Sequence, residues 1–487
     1  MIEGLPLCLV NEGVVEDTMA LSTEPRHEDP AVGFAAYAAN VTYDRLPPEL
    51  TRVLKRIVLD TIGTTLAGGT LGSGCRELAD VIRAAGGTSE STLIGIGDRL
   101  PAPGAALVNG AMAHALNFDD VYPGGGHLGV VTLPAALAVA ERQGGVSGKE
   151  LLAALAAGTE IMARLQVAVR RAEDGSSEAK PQPTQMLGYF SAAASAGRVM
   201  RLDGRAMLSA FGLALMQASG NRQPVLEGTP SKAIYAGFPN QGGVLAALLS
   251  QRGLRADCAA LEGEAGFFPT FYMGRYYRPA LVENLGDEYY TLGVGFKPWP
   301  TTSRAHPFIE AALALAAEHR LREDEIADVH VVGGSYIRTF CEPLATRLRP
   351  QTGVEAEDSI FFGVAKALVN QRVTLADFQP KGLAQSETVR LADRMRYSID
   401  PELGYAGIVE LTARAGQSYR VRVEKPLGDP TKPFSDDQLR AKFLDCATHA
   451  PVELTSAHLE ELITRIERLE DVTDVGILAR LASGGSS

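Results

Sequence analysis

The sequence predicts a mainly α-helical protein that carries a smaller α+β unit inserted towards its C-terminal end. Three observations carry this expectation. From about residue 31 to 290 the segments are long, Ala- and Leu-rich and helical in period. After "GFKPWP" the pattern changes: "IADVHVVGG", "GIVELTARAG" and "QSYRVRVEKP" alternate apolar and polar residues, as half-buried antiparallel strands do. Beyond about residue 430 the chain returns to helices. With 487 residues it exceeds what one hydrophobic core usually serves, so two domains are expected.

The expected order is an N-terminal extension (1–29), the first part of a helical domain (30–294), an α+β lid (295–430), the rest of the helical domain (431–482) and a short tail (483–487). "TRVLKRIVLDTIGTTLAGG", "PAPGAALVNGAMAHALNF" and "GVVTLPAALAVAERQGG" open the helical series. Ser147 and Glu150 form a capping box ahead of "KELLAALAAGTEIMARL". "MLGYFSAAASAGRVMRL" is apolar on nearly every face and reads as a core helix, and Asp203 caps the next one. In the α+β unit, "AHPFIEAALALAAEH" and "SIFFGVAKALVNQ" are helices lying between the strands. Ser435 then opens "DDQLRAKFLDCA", and the amphipathic "SAHLEELITRIERL" follows.

Composition narrows the function classes. A net charge of −12 argues against a polyanionic partner such as nucleic acid. The first 28 residues lack the basic region of a secretory signal, and no run reads as a membrane span, so a cytoplasmic protein is expected. Five cysteines, widely spaced and odd in number, suggest buried reduced thiols rather than a zinc site or disulfide framework.

Chemistry concentrates in four stretches. "NFDDVYPGGGHLGVV" brings Asp119, Asp120 and His127 around three glycines. Adjacent carboxylates repel, which tends to raise one pKa, and a histidine can move protons near neutrality. Read locally, the same stretch fits a solvated turn whose aspartates cap a helix better than it fits a site. His114, on an Ala-rich helix, reads as a core or supporting histidine. "LEGTPSKAIYAGFPNQGG" holds Lys232 among small and apolar residues, where a lysine is unusual. "GFKPWPTTSRAHP" sets Lys297 and His306 at the domain junction, where small-molecule sites tend to form. In "KPQPTQMLGYF", Gln182 and Thr184 stand at a helix N-terminus, suited to an anion or merely to capping. No P-loop or G-x-G-x-x-G fingerprint is present. No His and carboxylate pair shares a helix face at metal spacing, so no metal is expected.

Taken in order, "HALNFDD…GGGH…TLPAALAVAE", "PTQMLGYFSAAASAGRVMRLDGRAMLSAFGLALMQASG", "EGTPSKAIYAGFPNQGGVLAALLSQRG", "KPWPTTSRAHPFIEAAL" and "VEKPLGDPTKPFSDDQLRAKF" resemble the MmgE/PrpD family across about residues 32–480. That family includes 2-methylcitrate dehydratases, cis-aconitate decarboxylases and an iminodisuccinate epimerase. The resemblance implies a helical domain built from both chain ends, an inserted lid, a homodimer, no cofactor and a site between the domains. It maps catalytic positions onto Asp119 (or Asp120), His127, Lys232 and Lys297, with Tyr336 as the lid tyrosine; with the local reading, Asp120, Gln182, Thr184, Tyr336 and His306 are the expected substrate contacts. Two departures stand out. Gln182 replaces a histidine found in many members, and Asn117 and Val121-Tyr122 replace polar residues of the opening motif. The expected activity is that of a cofactor-independent lyase on a small di- or tricarboxylate, by dehydration or decarboxylation. An epimerase using the same acid/base pair is the alternative, and a non-catalytic binding protein a third.

Overall fold

The computed structural model describes residues 28–171, 182–256 and 258–485. The expected N-terminal extension up to residue 27 and the last two residues of the tail lie outside the described residues. Helices dominate, and the apolar side chains sort into two main cores. One draws on residues from Ala31 to Phe296 and again from Phe434 to Ala482. The other lies wholly within Trp299 to Val423.

The C-terminal helices thus return to the first part of the chain. Asp436–Ala447 packs along Pro48–Leu71. The fit is close: a Cβ on Gly63 would lie 3.1 Å from the Phe443 ring. Lys442 crosses the same seam to the buried Asp60, 2.6 Å away, and donates to the Phe118 carbonyl at 2.6 Å. A cation that must satisfy both partners joins the C-terminal helix to the segment that holds Asp119.

Local grammar explains the helix starts. Glu150 accepts from the Ser147 backbone amide at 2.9 Å while Ser147 Oγ accepts from Glu150, the reciprocal pair expected of a capping box. Asp203 accepts from Ala206, and Ser435 and Gln438 form a second box. The helix Gly148–Arg170 has the length and composition of a membrane span, yet 94% of its most apolar window is buried inside the fold. It is a core helix, packed against Pro183–Val199.

In the second core a four-stranded sheet runs in the order Met395–Ile399, Ile326–Gly333, Gly407–Ala413, Ser418–Val423. The first pair is parallel and the other two are antiparallel. Helix His306–His319 packs on the last two strands and against helix Ile360–Asn370. Met395–Ile399 and the short hairpin Ser91–Thr92 with Arg99–Leu100 were not anticipated from the sequence. Cys75, Cys341 and Cys446 are free and buried. Cys258 is disulfide-bonded, which differs from the expectation of reduced thiols throughout.

Where the two cores meet, Val121 and Gly295 exchange backbone hydrogen bonds of 2.9 and 2.8 Å. Phe296 then donates to the Gly428 carbonyl at 3.0 Å. These contacts fix Lys297 beside the end of the opening motif.

Candidate active site

Helix Ala102–His114 ends just before the motif, and Asn117 takes a left-handed backbone conformation (φ 48°) that turns the chain. Tyr122 and Gly126 then pair across a tight turn, with Gly124 and Gly125 at φ 103° and 92°, a region that favours glycine. The three glycines therefore close a turn and deliver His127 back towards Asp119.

Asp119 is the centre of the cluster. Its Oδ2 lies 2.7 Å from His127 Nδ1 and 3.1 Å from His114 Nδ1, so one carboxylate oxygen serves two imidazoles. The two rings meet edge to face at 4.7 Å, and Tyr235 covers the other side of His114. Lys297 Nζ lies 3.9 Å from Asp119 Oδ1 and donates to the Asn117 carbonyl at 2.9 Å and to its side chain. Burial alone would raise the Asp119 pKa, but His114, His127 and Lys297 together hold it well below the usual carboxylate range. His114 is pushed down to about 4 by burial against the pull of Asp119, so it is neutral near pH 7. Burial also lowers Lys297, with Lys232 and Lys442 adding to the effect.

The two aspartates divide their work. Asp120 accepts from the backbone amides of Leu128 at 2.7 Å and Gly129 at 2.9 Å. Its two oxygens clamp the loop after His127. Burial and the neighbouring Asp119 raise its pKa to about 7.

Lys232 is buried as expected, but it is not a free cation. Its Nζ lies 2.9 Å from Asp358 and 3.4 Å from Glu357. Burial would lower its pKa, and the two carboxylates raise it. Glu357 in turn is pushed up to about 7 by burial, against the pull of Lys232. Lys232 and Lys297 stand close enough to repel.

Gln182 is buried at the start of helix Pro183–Val199, and its side chain makes no cap bond. Thr184, fully buried, lies beside the Tyr235 phenol and so adjoins His114. His306 and Tyr336 line a cavity of about 160 Å³ with Val121 to Gly125, Arg304 and Tyr405. Burial lowers His306 to about 3, with Lys297 and Lys442 adding to the effect, so its ring is neutral.

Sequence reasoning missed the direct part played by His114, Glu357 and Asp358. The five-residue step from His114 to Asp119 was visible in "HALNFDD", but an Ala-rich helix reads as core. "EAEDS" reads as an ordinary polar helix start.

His114, Asp119 and His127 also offer ligand atoms within 4.8 Å of one another, a grouping that could hold a metal ion. Their contacts suit proton transfer at least as well. With Nδ1 of His127 donating to the Asp120 carbonyl at 2.6 Å, Nε2 is the ring's lone-pair nitrogen and can accept a proton. Lysines beside it can stabilise a carboxylate or a developing enolate.

A buried acid/base cluster flanked by lysines, where a helical core meets an inserted mixed unit, is the layout of an enzyme that moves protons on a small anion. Residues 32–280 match the MmgE/PrpD N-terminal domain and residues 299–468 the MmgE/PrpD C-terminal domain, and the chain belongs to this family. It is similar to the cis-aconitate decarboxylase of Mus musculus, with 26% identity over 470 residues and 93% of each chain covered. The cis-aconitate decarboxylase of Aspergillus terreus is 25% identical over 464 residues, covering 90% of this chain and 93% of that protein. A cis-aconitate decarboxylase-like protein of Aspergillus oryzae is 27% identical over 468 residues, with 90% and 94% covered.

Proposed function

We propose that this protein is a lyase of small carboxylic acids, of the decarboxylase or dehydratase type, that works without a metal or cofactor. The observation that carries the reading is the buried Asp119 with His127 at 2.7 Å and Lys297 at 3.9 Å, the His127 ring oriented as a base by its bond to the Asp120 carbonyl. Its relatives are decarboxylases of a tricarboxylic acid, which favours a substrate with more than one carboxylate.

In a dehydration, His127 Nε2 takes the proton next to a carboxylate and the electron pair spreads into that carboxylate. Lys297 and Lys232 stabilise the enolate-like anion. The C–O bond to the β-carbon then breaks, and hydroxide takes up a proton to leave as water. In a decarboxylation the C–C bond breaks first, carbon dioxide leaves, and His127, protonated from solvent beforehand, gives that proton to the carbanion. Asp119 holds the imidazolium in either case. The mixed unit serves as the lid, its Tyr336 side facing the opening motif.

Gln182 shapes the substrate range. A glutamine does not exchange protons at neutral pH, so proton transfer rests on His127 and its neighbours. The test is a screen of hydroxy and unsaturated di- and tricarboxylates, read by product mass. Loss of 44 or of 18 mass units, about those of carbon dioxide and water, supports the proposal. Proton exchange with solvent without a mass change identifies an epimerase instead. No reaction with any acid of the panel contradicts it.

A further inference from the structure

Both lysines of the site are already engaged by the protein. Lys232 has Asp358 at 2.9 Å and Glu357 at 3.4 Å; Lys297 has the Asn117 carbonyl at 2.9 Å and Asp119 at 3.9 Å. A substrate with two or three carboxylates still needs positive charge that nothing else has neutralised. Among the described residues, Arg304 supplies it: it forms no ion pair there and lines the cavity beside the opening motif.

The surroundings of Arg304 are built rather than accidental. Its guanidinium lies 4.5 Å from the centre of the Tyr405 ring and 5.6 Å from that of Tyr336. Two aromatic faces hold the plane of the fork while leaving its N–H groups to donate elsewhere. Arg170 lines the same cavity, its stem packed where a Cβ on Gly124 would come within 2.8 Å. His306, two residues along, is buried and lines the cavity too, and its Nε2 has no hydrogen-bond partner. That neutral nitrogen offers an acceptor next to the cation.

We infer that Arg304 is a specificity-determining residue that binds a carboxylate of the substrate, with Tyr336 and Tyr405 positioning its guanidinium. This rests on the carboxylic-acid reading above. The cavity, at about 160 Å³, has room for a carboxylate arm. The lysines then serve the end of the molecule where bonds change, and Arg304 serves the far end.

Calorimetric titration of the full chain with tricarballylate, a saturated tricarboxylate without a hydroxyl to lose, tests this. The lone tryptophan, Trp299, lies 5.5 Å from His306 and gives a second readout by fluorescence. Arg304→Gln is expected to weaken binding about tenfold or more, the loss of a charge-assisted hydrogen bond. Arg304→Lys, which keeps the charge without the fork, is expected to fall between Arg304→Gln and the parent chain. Equal affinity in the parent chain and Arg304→Gln overturns the inference, as does the absence of saturable binding in the parent chain. Turnover is followed separately. Arg304-dependent binding without turnover of any acid would leave this assignment standing and defeat the proposed reaction.

Discussion

His127 Nδ1 lies 2.7 Å from Asp119 Oδ2 and donates to the Asp120 carbonyl at 2.6 Å, which leaves Nε2 for a substrate and a negative charge beside the ring. Asp119 Oδ2 also receives His114 Nδ1 at 3.1 Å, so a single carboxylate lies against two imidazoles.

Asp119→Asn should therefore test the charge beside the two rings, since the Asp120 carbonyl keeps the His127 tautomer. An amide cannot stabilise the imidazolium as a carboxylate does, and kcat is expected to fall on the order of 10²-fold with the fold intact. Steady-state kinetics and circular dichroism measure this. A kcat within about threefold of the parent enzyme would remove Asp119 from the mechanism.

Asp120→Ala should act on stability first. It leaves the amides of Leu128 and Gly129 without their acceptor in a buried loop. The expected cost is on the order of 2–4 kcal/mol, with reduced activity because the loop carries His127. An unchanged melting temperature would show that the loop does not depend on this clamp.

The pH dependence of stability should report on Glu357. Burial raises its pKa from 4.5 to about 7, with Lys232 opposing and Asp358 reinforcing the rise. Between those values the folded chain keeps a proton that the unfolded chain has released. Stability from this group is thus full below about 4.5 and is lost as pH rises through 7. Asp120, raised to about 7, acts in the same direction. Glu357→Gln should flatten the decline between pH 5 and 8 by up to about 3 kcal/mol, read from melting curves. A variant with the parent's slope would contradict the assignment.

The His114–Asp119–His127 grouping makes metal dependence a direct question. Turnover is expected to survive exhaustive dialysis against a chelator, with no gain on adding zinc or manganese. Loss on dialysis and recovery with one ion would replace the proposed proton chemistry with metal chemistry.

Much of this fold was readable because its helices carry local signatures, such as the caps at Ser147, Asp203 and Ser435. Strand Met395–Ile399 was not, because a parallel strand at a sheet edge exposes Arg396 and Ser398 and shows little hydrophobic run. Within the site, the order of "DD", "GGGH", "SK" and "KPWP" led to Asp119, His127, Lys232 and Lys297. It did not reveal that Glu357 and Asp358, more than 120 residues later, close on Lys232. Nor did it show that Asp120 turns to the backbone. The first is a pairing across the fold and the second a loop conformation, and composition and spacing encode neither.

The most direct test of the account follows hydrogen exchange next to the carboxylate of a turned-over acid in deuterated water, for the parent enzyme and for His127→Ala. The account predicts deuterium in the product, or in recovered substrate, with the parent enzyme, and a loss of turnover of about 10²-fold or more in His127→Ala. Turnover and deuterium incorporation that persist undiminished in His127→Ala would contradict the role of His127 as the base.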